Sequence, residues 1–121
     1  MSTLVAQTIS NGTISTSTAN VINGAKAWVN FNGTGTVAIR ASYNVSSITD
    51  GGTGIYTVNF TTAMLDANYA VGATAGDILS TSAGQRTFVE ISLFTTSSVR
   101  ILSGFSGAYV DVNGVTVQVF R

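Results

Sequence analysis

The stretch AKAWVNFNGTGTVAIRASYNV, residues 25–45, decides the fold class, because it alternates with the period of a β-strand. Side chains on a strand point to opposite faces in turn, so each register assigns every residue to a face. Val37, Ile39, Ala41, Tyr43 and Val45 share one face, and Ala38, Arg40, Ser42 and Asn44 share the other. If Phe31 pairs with Gly35 around a three-residue loop, Val29 meets Val37 and Ala27 meets Ile39. That register makes one face continuously apolar and sends Trp28 to the other, beside Ala38 and diagonal to Arg40. An odd shift would instead bring Trp28 into the Val37 face and expel Phe31. The first segregates polarity better and is the expected one.

Outside this stretch, short alternating runs bounded by Asn, Gly, Asp and Ser fill the chain, and helical periodicity is nearly absent. Expected strands cover 26–32, 36–46, 55–61, 68–75, 86–95, 98–103, 108–113 and 115–121. They predict an all-β fold, an antiparallel β-sandwich or jelly-roll-like domain of about eight strands over 25–121. The link from 45 to 55 carries the glycine-rich DGGTG, and 62–67 is either one helical turn or an irregular crossover. Val112-Asn113-Gly114-Val115 is the cleanest hairpin signal. Residues 1–24 are Ser/Thr-rich and stand apart. Asn11-Gly12 suggests a two-residue turn with Ile9 opposite Ile14 and Thr8 opposite Ser15. This segment is either a flexible linker or a strap that docks on a neighbouring subunit.

Composition narrows the function. Of 121 residues only 8% are charged, against about 25% in an average soluble domain, while 45% are apolar and the net charge is zero. Nucleic acid or an anionic membrane surface would require clustered Lys and Arg, which are absent, so neither partner is expected. No run reaches the roughly 20 apolar residues that span a bilayer. The first residues lack the basic and long apolar regions of a signal peptide, so synthesis in a cytoplasm without export by that route is expected.

Chemistry is sparse. The chain has no Cys and no His, which removes thiolate metal sites, most zinc sites and a Ser-His-Asp arrangement. Asp50, Asp66, Asp77, Glu90 and Asp111 form no recognisable carboxylate pair, so no enzyme activity, metal or cofactor is expected. DGGTG is followed by neither a Lys-Ser/Thr pair nor a helix, so it is not a phosphate loop. For ligand binding, SGFSGAY (103–109) offers Phe105 and Tyr109 among glycines, suited to stacking on sugar. The loop 75–85 is the second candidate and brings Asp77 and Gln85.

Several strands carry apolar residues on both faces. In RTFVEISLF, Thr87, Val89, Ile91 and Leu93 oppose Phe88, Glu90, Ser92 and Phe94. In the last strand Val115, Val117 and Val119 oppose Thr116, Gln118 and Phe120. One face must line the core. The second, bearing Trp28, Arg40, Phe88, Phe94 and Phe120, is the candidate subunit interface.

The segments AKAWVNFNG (25–33), AIRASYNVSSITD (38–50), GIYTVNFTTAM (54–64) and DANYAV (66–71), with NGVTVQVFR at the C-terminal end, resemble a module of bacteriophage tail-fibre and related virion proteins. Leu65 departs from that pattern, where proline is frequent, so the crossover there is expected to differ in detail. The resemblance implies a small all-β module, a homotrimer on the outside of a phage particle, contacting other virion proteins. It implies a role in recognising a bacterial surface glycan or protein receptor. The competing expectation is a capsid decoration, cement or head-fibre protein that uses residues 1–24 as a strap.

Overall fold

The computed structural model describes residues 3, 5–13, 15–17, 24–77 and 87–121. Among them the chain is all-β and every strand pairing is antiparallel. The strands are β1 (Thr8–Ser10), β2 (Ser15–Ser17), β3 (Ala25–Asn32), β4 (Ala38–Tyr43), β5 (Val45–Gly52), β6 (Ile55–Phe60), β7 (Ala70–Gly76), β8 (Thr87–Phe94), β9 (Ser98–Phe105), β10 (Ala108–Tyr109) and β11 (Gly114–Phe120). One sheet runs β4-β3-β11-β7. The second runs β5-β6-β9, with β8 on the far edge of β9 and β10 a short extension. β1 and β2 pair only with each other.

Both sheets contribute to one core. Ala27, Val29, Phe31, Val115, Val117 and Val119 come from the first, and Tyr56, Val58, Val99 and Ile101 from the second. The Phe31 and Tyr56 rings meet edge-on across the layers, 5.2 Å between centroids. Alternation on β11 is as expected: its three valines are fully buried while Thr116, Gln118 and Phe120 face outward. Each buried valine stabilises the fold by roughly 1.5–3 kcal/mol relative to exposure, so this seam dominates the energetics.

The opening stretch pairs differently from expectation. Phe31 lies opposite Ile39, Asn30 opposite Ala41 and Trp28 opposite Tyr43, so the connecting loop has five residues, 33–37, and Arg40 is an extra, bulged residue. A bulge inverts the faces beyond it. Ala41 and Tyr43 therefore join Trp28 on the outer face, leaving the Val37 face. The cause is Gly33, which is tied down from outside the hairpin. Its N–H donates to Val112 O (2.9 Å) and its C=O accepts from the Tyr56 hydroxyl (3.0 Å). Tyr56 and Val112 O press on Gly33 where a Cβ would stand, so only glycine fits.

Strand 36–46 is also divided. Asn44 has φ 55° and turns the chain from the first sheet into the second. Its amide satisfies the corner: Nδ2 donates to Lys26 O (3.0 Å) and Thr62 O (3.1 Å), and Oδ1 accepts from Thr62 N–H (2.7 Å). The expected link after residue 45 is consequently the eight-residue β5, paired with β6.

The Asn113-Gly114 hairpin does not form, because β11 pairs with β3 and β7, not with residues 108–113. Residues 110–113 instead cross between the sheets, held by Ser103, Gly33 and Gly54. The turn at Asn11-Gly12 is looser than expected: Ser10 pairs with Ser15 and Ile9 with Thr16 around a four-residue loop. A two-residue type I′ turn needs positive φ at both central residues. Here only Gly12 adopts it, and Asn11 Oδ1 accepts from Thr13 N–H instead. Segment 62–67 is an irregular crossover containing no helix, closed by Asn68 N–H donating to Asp66 Oδ1.

Candidate ligand-binding ends of the sheets

β3 and β11 run antiparallel, so both ends of the core are built from the same strands, on the order of 20 Å apart. Gly33, Gly54, Gly76, Phe105 and Gly114 gather at one end. Lys26, Asn44, Phe60, Ala70 and Arg121 gather at the other.

The first end holds a pocket of about 230 Å³ lined by Thr34, Asp77, Thr87, Phe105 and the crossover Val110–Asn113. Asp111 is its best-anchored polar group. Its Oδ1 accepts from Gly54 N–H (2.7 Å) and from the Tyr56 hydroxyl (3.0 Å). Burial pushes the Tyr56 hydroxyl well above its usual pKa, and the hydrogen bond to Asp111 pushes it further, so Tyr56 is a fixed neutral donor. Asn113 Nδ2 donates to Asp77 Oδ1 (2.6 Å), joining the crossover to the end of β7. Thr87 donates to Ala75 O (2.7 Å), and Arg40 donates to Asn113 O. Phe105 leaves about two-fifths of its surface open beside these groups.

Two carboxylates, an amide and two threonines around one aromatic ring offer hydrogen-bond acceptors and an apolar surface, with no lining cation. Carboxylates accept O–H donors strongly, and an aromatic face covers apolar C–H groups. The combination suits a neutral polyhydroxylated ligand and disfavours an anion. Among the described residues no group of three or more Asp, Glu, His or Cys is placed to hold a metal.

Two of the four ligand-binding residues expected from the sequence, Phe105 and Asp77, meet in this pocket. Gln85 lies outside the described residues. Tyr109 is elsewhere: it sits on the outer face of the second sheet with Phe88, ring centroids 6.2 Å apart. Phe88 lies over Gly104, where a Cβ would collide with the ring. Asp111 and Asn113 were missed as site residues, because VDVNG has the signature of a hairpin.

The expected interface residues do not share one face. Trp28 and Phe120 lie on the outside of the first sheet, 39% and 45% exposed, with Tyr43 beside Trp28. Arg40 is the bulged residue, bonded to Asn30 Oδ1 and Asn113 O. Phe88 is on the second sheet. Phe94 is not on the Phe88 face, because a bulge at Ser92 turns Leu93 outward and sets Phe94 opposite Val99. There its ring packs against Tyr69, 5.2 Å between centroids.

At the opposite end a larger cavity, about 630 Å³, is lined by Lys26, Tyr43, Asn44, residues 61–65 and Arg121. Asp66 pairs with Arg121 at 2.8 Å beside it. The Arg121 hydrogen bond holds the Asp66 carboxyl below the usual carboxylate range.

No family model, curated protein or solved structure matches the chain.

Proposed function

We propose that this chain is a binding module on the surface of a phage particle, a β-sandwich of jelly-roll kind that assembles as a homotrimer and recognises host-surface glycan. The observation that carries the reading is the meeting of Phe105 and Asp77 with Asp111 and Asn113 around one uncharged-ligand pocket. That pocket lies at the end of the strands remote from Ala25, where residues 1–24 join β3. A segment tethered through residues 1–24 would therefore carry the pocket outward, at its tip. Exposed aromatics on the outer faces of both sheets, Trp28 and Tyr43 on one and Tyr109 on the other, support burial against other copies or other virion proteins. A chain without histidine favours binding over catalysis. Three copies binding weakly would gain avidity from their shared attachment.

Competition decides the matter. Soluble protein should block phage adsorption to host cells and bind neutral surface polysaccharide, and Phe105→Ala should lose both while unfolding at an unchanged temperature. Adsorption indifferent to saturating protein would refute the reading. The capsid-decoration alternative draws on β1 and β2, which pair only with each other and leave Val5 and Ile9 exposed for another surface. It requires stoichiometric capsid binding that disappears when residues 1–24 are removed.

A further inference from the structure

The cavity at the Asn44 end has chemistry opposite to that of the tip. Two of the five basic residues of the chain, Lys26 and Arg121, line it, and no carboxylate does. Asp66 grips Arg121 from the side: Nε donates to Oδ1 (3.1 Å) and Nη2 to Oδ2 (2.8 Å). This bidentate clamp occupies one edge of the guanidinium and leaves Nη1 for a ligand. A side chain already held in one orientation loses less entropy when it binds. The rim is apolar as well as charged. Tyr43 is 57% exposed and Leu65 84% exposed, with Met64 buried beneath. Thr61 and Thr62 add neutral hydrogen-bonding groups.

The geometry points to a binding site for a sugar that carries a carboxylate, such as a uronic acid. Its carboxylate would meet Lys26 and the open edge of Arg121, and its apolar ring face would lie on Tyr43. A neutral sugar would leave the cations without a counter-charge, and a small anion would leave the Tyr43 and Leu65 surface uncovered. The tip, with two carboxylates and no lining cation, would repel the same ligand, so this site does not rest on the glycan reading of the tip.

A matched pair of probes tests it. The full chain is titrated by NMR with methyl glucuronide, methyl glucoside, which differs only in lacking the carboxylate, and acetate. The glucuronide should give saturable shifts at Lys26, Tyr43 and Thr62, with little response to the other two. Lys26→Gln keeps the Lys26 carbonyl that Asn44 uses and should weaken glucuronide binding about tenfold, the size of one charge-assisted hydrogen bond. Tyr43→Ala should weaken it several-fold, and Arg100→Gln, on the other sheet, should leave it unchanged. An equal response to glucoside, an equal response to acetate (an adventitious anion only), or no saturable response to glucuronide overturns the proposal. None of these results bears on the tip, which is tested with neutral polysaccharide and Phe105→Ala.

Discussion

The two ends of the core are each closed by one polar side chain that gathers hydrogen bonds from distant segments, yet they use different chemistry. Asn44 makes three bonds, to Lys26 and Thr62, while holding a left-handed backbone. Asp111 receives two, from a backbone amide and from a buried tyrosine that also bonds Gly33. A neutral amide can donate and accept at once, which suits a corner where a strand leaves one sheet for the other. A carboxylate only accepts, but it keeps lone pairs for a ligand after its structural bonds are made. The same closing task therefore produces a purely structural junction at one end and a chemically available group at the other.

Asn44→Ala should be the most damaging change, costing about 3 kcal/mol or more from lost hydrogen bonds and left-handed strain. Asn44→Gly, which accepts the same φ, should cost only about 2 kcal/mol. Equal losses in urea denaturation would show that the backbone contributes nothing. Asp111→Ala should cost about 2 kcal/mol, since Gly54 loses its acceptor while Tyr56 keeps Gly33 O. If Asp111→Ala proves as costly as Asn44→Ala, the distinction between the ends fails.

Tyr56→Phe should cost about 1 kcal/mol at neutral pH. It should also change the alkaline limb of stability. The folded protein holds Tyr56 neutral beyond the usual tyrosine pKa of about 10, chiefly through burial. Its contribution is therefore complete below that pH and is lost as pH rises, while the unfolded chain ionises. The variant should show a shallower decline above pH 10 in thermal melts, with Tyr69, raised in the same direction by burial, supplying part of the remaining slope. An unchanged slope would place the alkaline sensitivity elsewhere.

The smallest effect is expected at the Asn44 end, from the Asp66–Arg121 pair. Arg121 lowers the Asp66 pKa, so this contribution is present above the ordinary carboxylate range and lost as pH falls through the lowered value. Both partners are exposed, and exposed pairs contribute little. Arg121→Gln should flatten the acid limb slightly and leave the neutral melting temperature nearly unchanged. A large drop at pH 7 would show that the pair anchors the C-terminal strand.

Much of the fold was legible and less of the site. Alternation exposed most strands and set Val115, Val117 and Val119 inward, because a period-two pattern reports burial directly. It failed wherever one residue interrupts the period. Arg40 and Ser92 are bulged, and nothing in RASY or EISLF marks the slip. Phe105 and Asp77 were legible as loop groups with suitable chemistry. Asp111 was not, because its hydrogen-bond partners lie more than fifty residues earlier in the chain.

By itself the sequence determined the all-β class, the valine seam and a surface nearly free of charge, since these follow from local periodicity and composition. Only the tertiary structure decided which faces Tyr43 and Phe94 occupy, where the chain changes sheets, and which polar groups meet at each end. Those choices rest on contacts between remote segments, such as Gly33 with Val112 and Asn44 with Thr62. A shift of one residue along a strand leaves its local pattern almost unchanged but exchanges its two faces. Long-range partners alone can select between such registers.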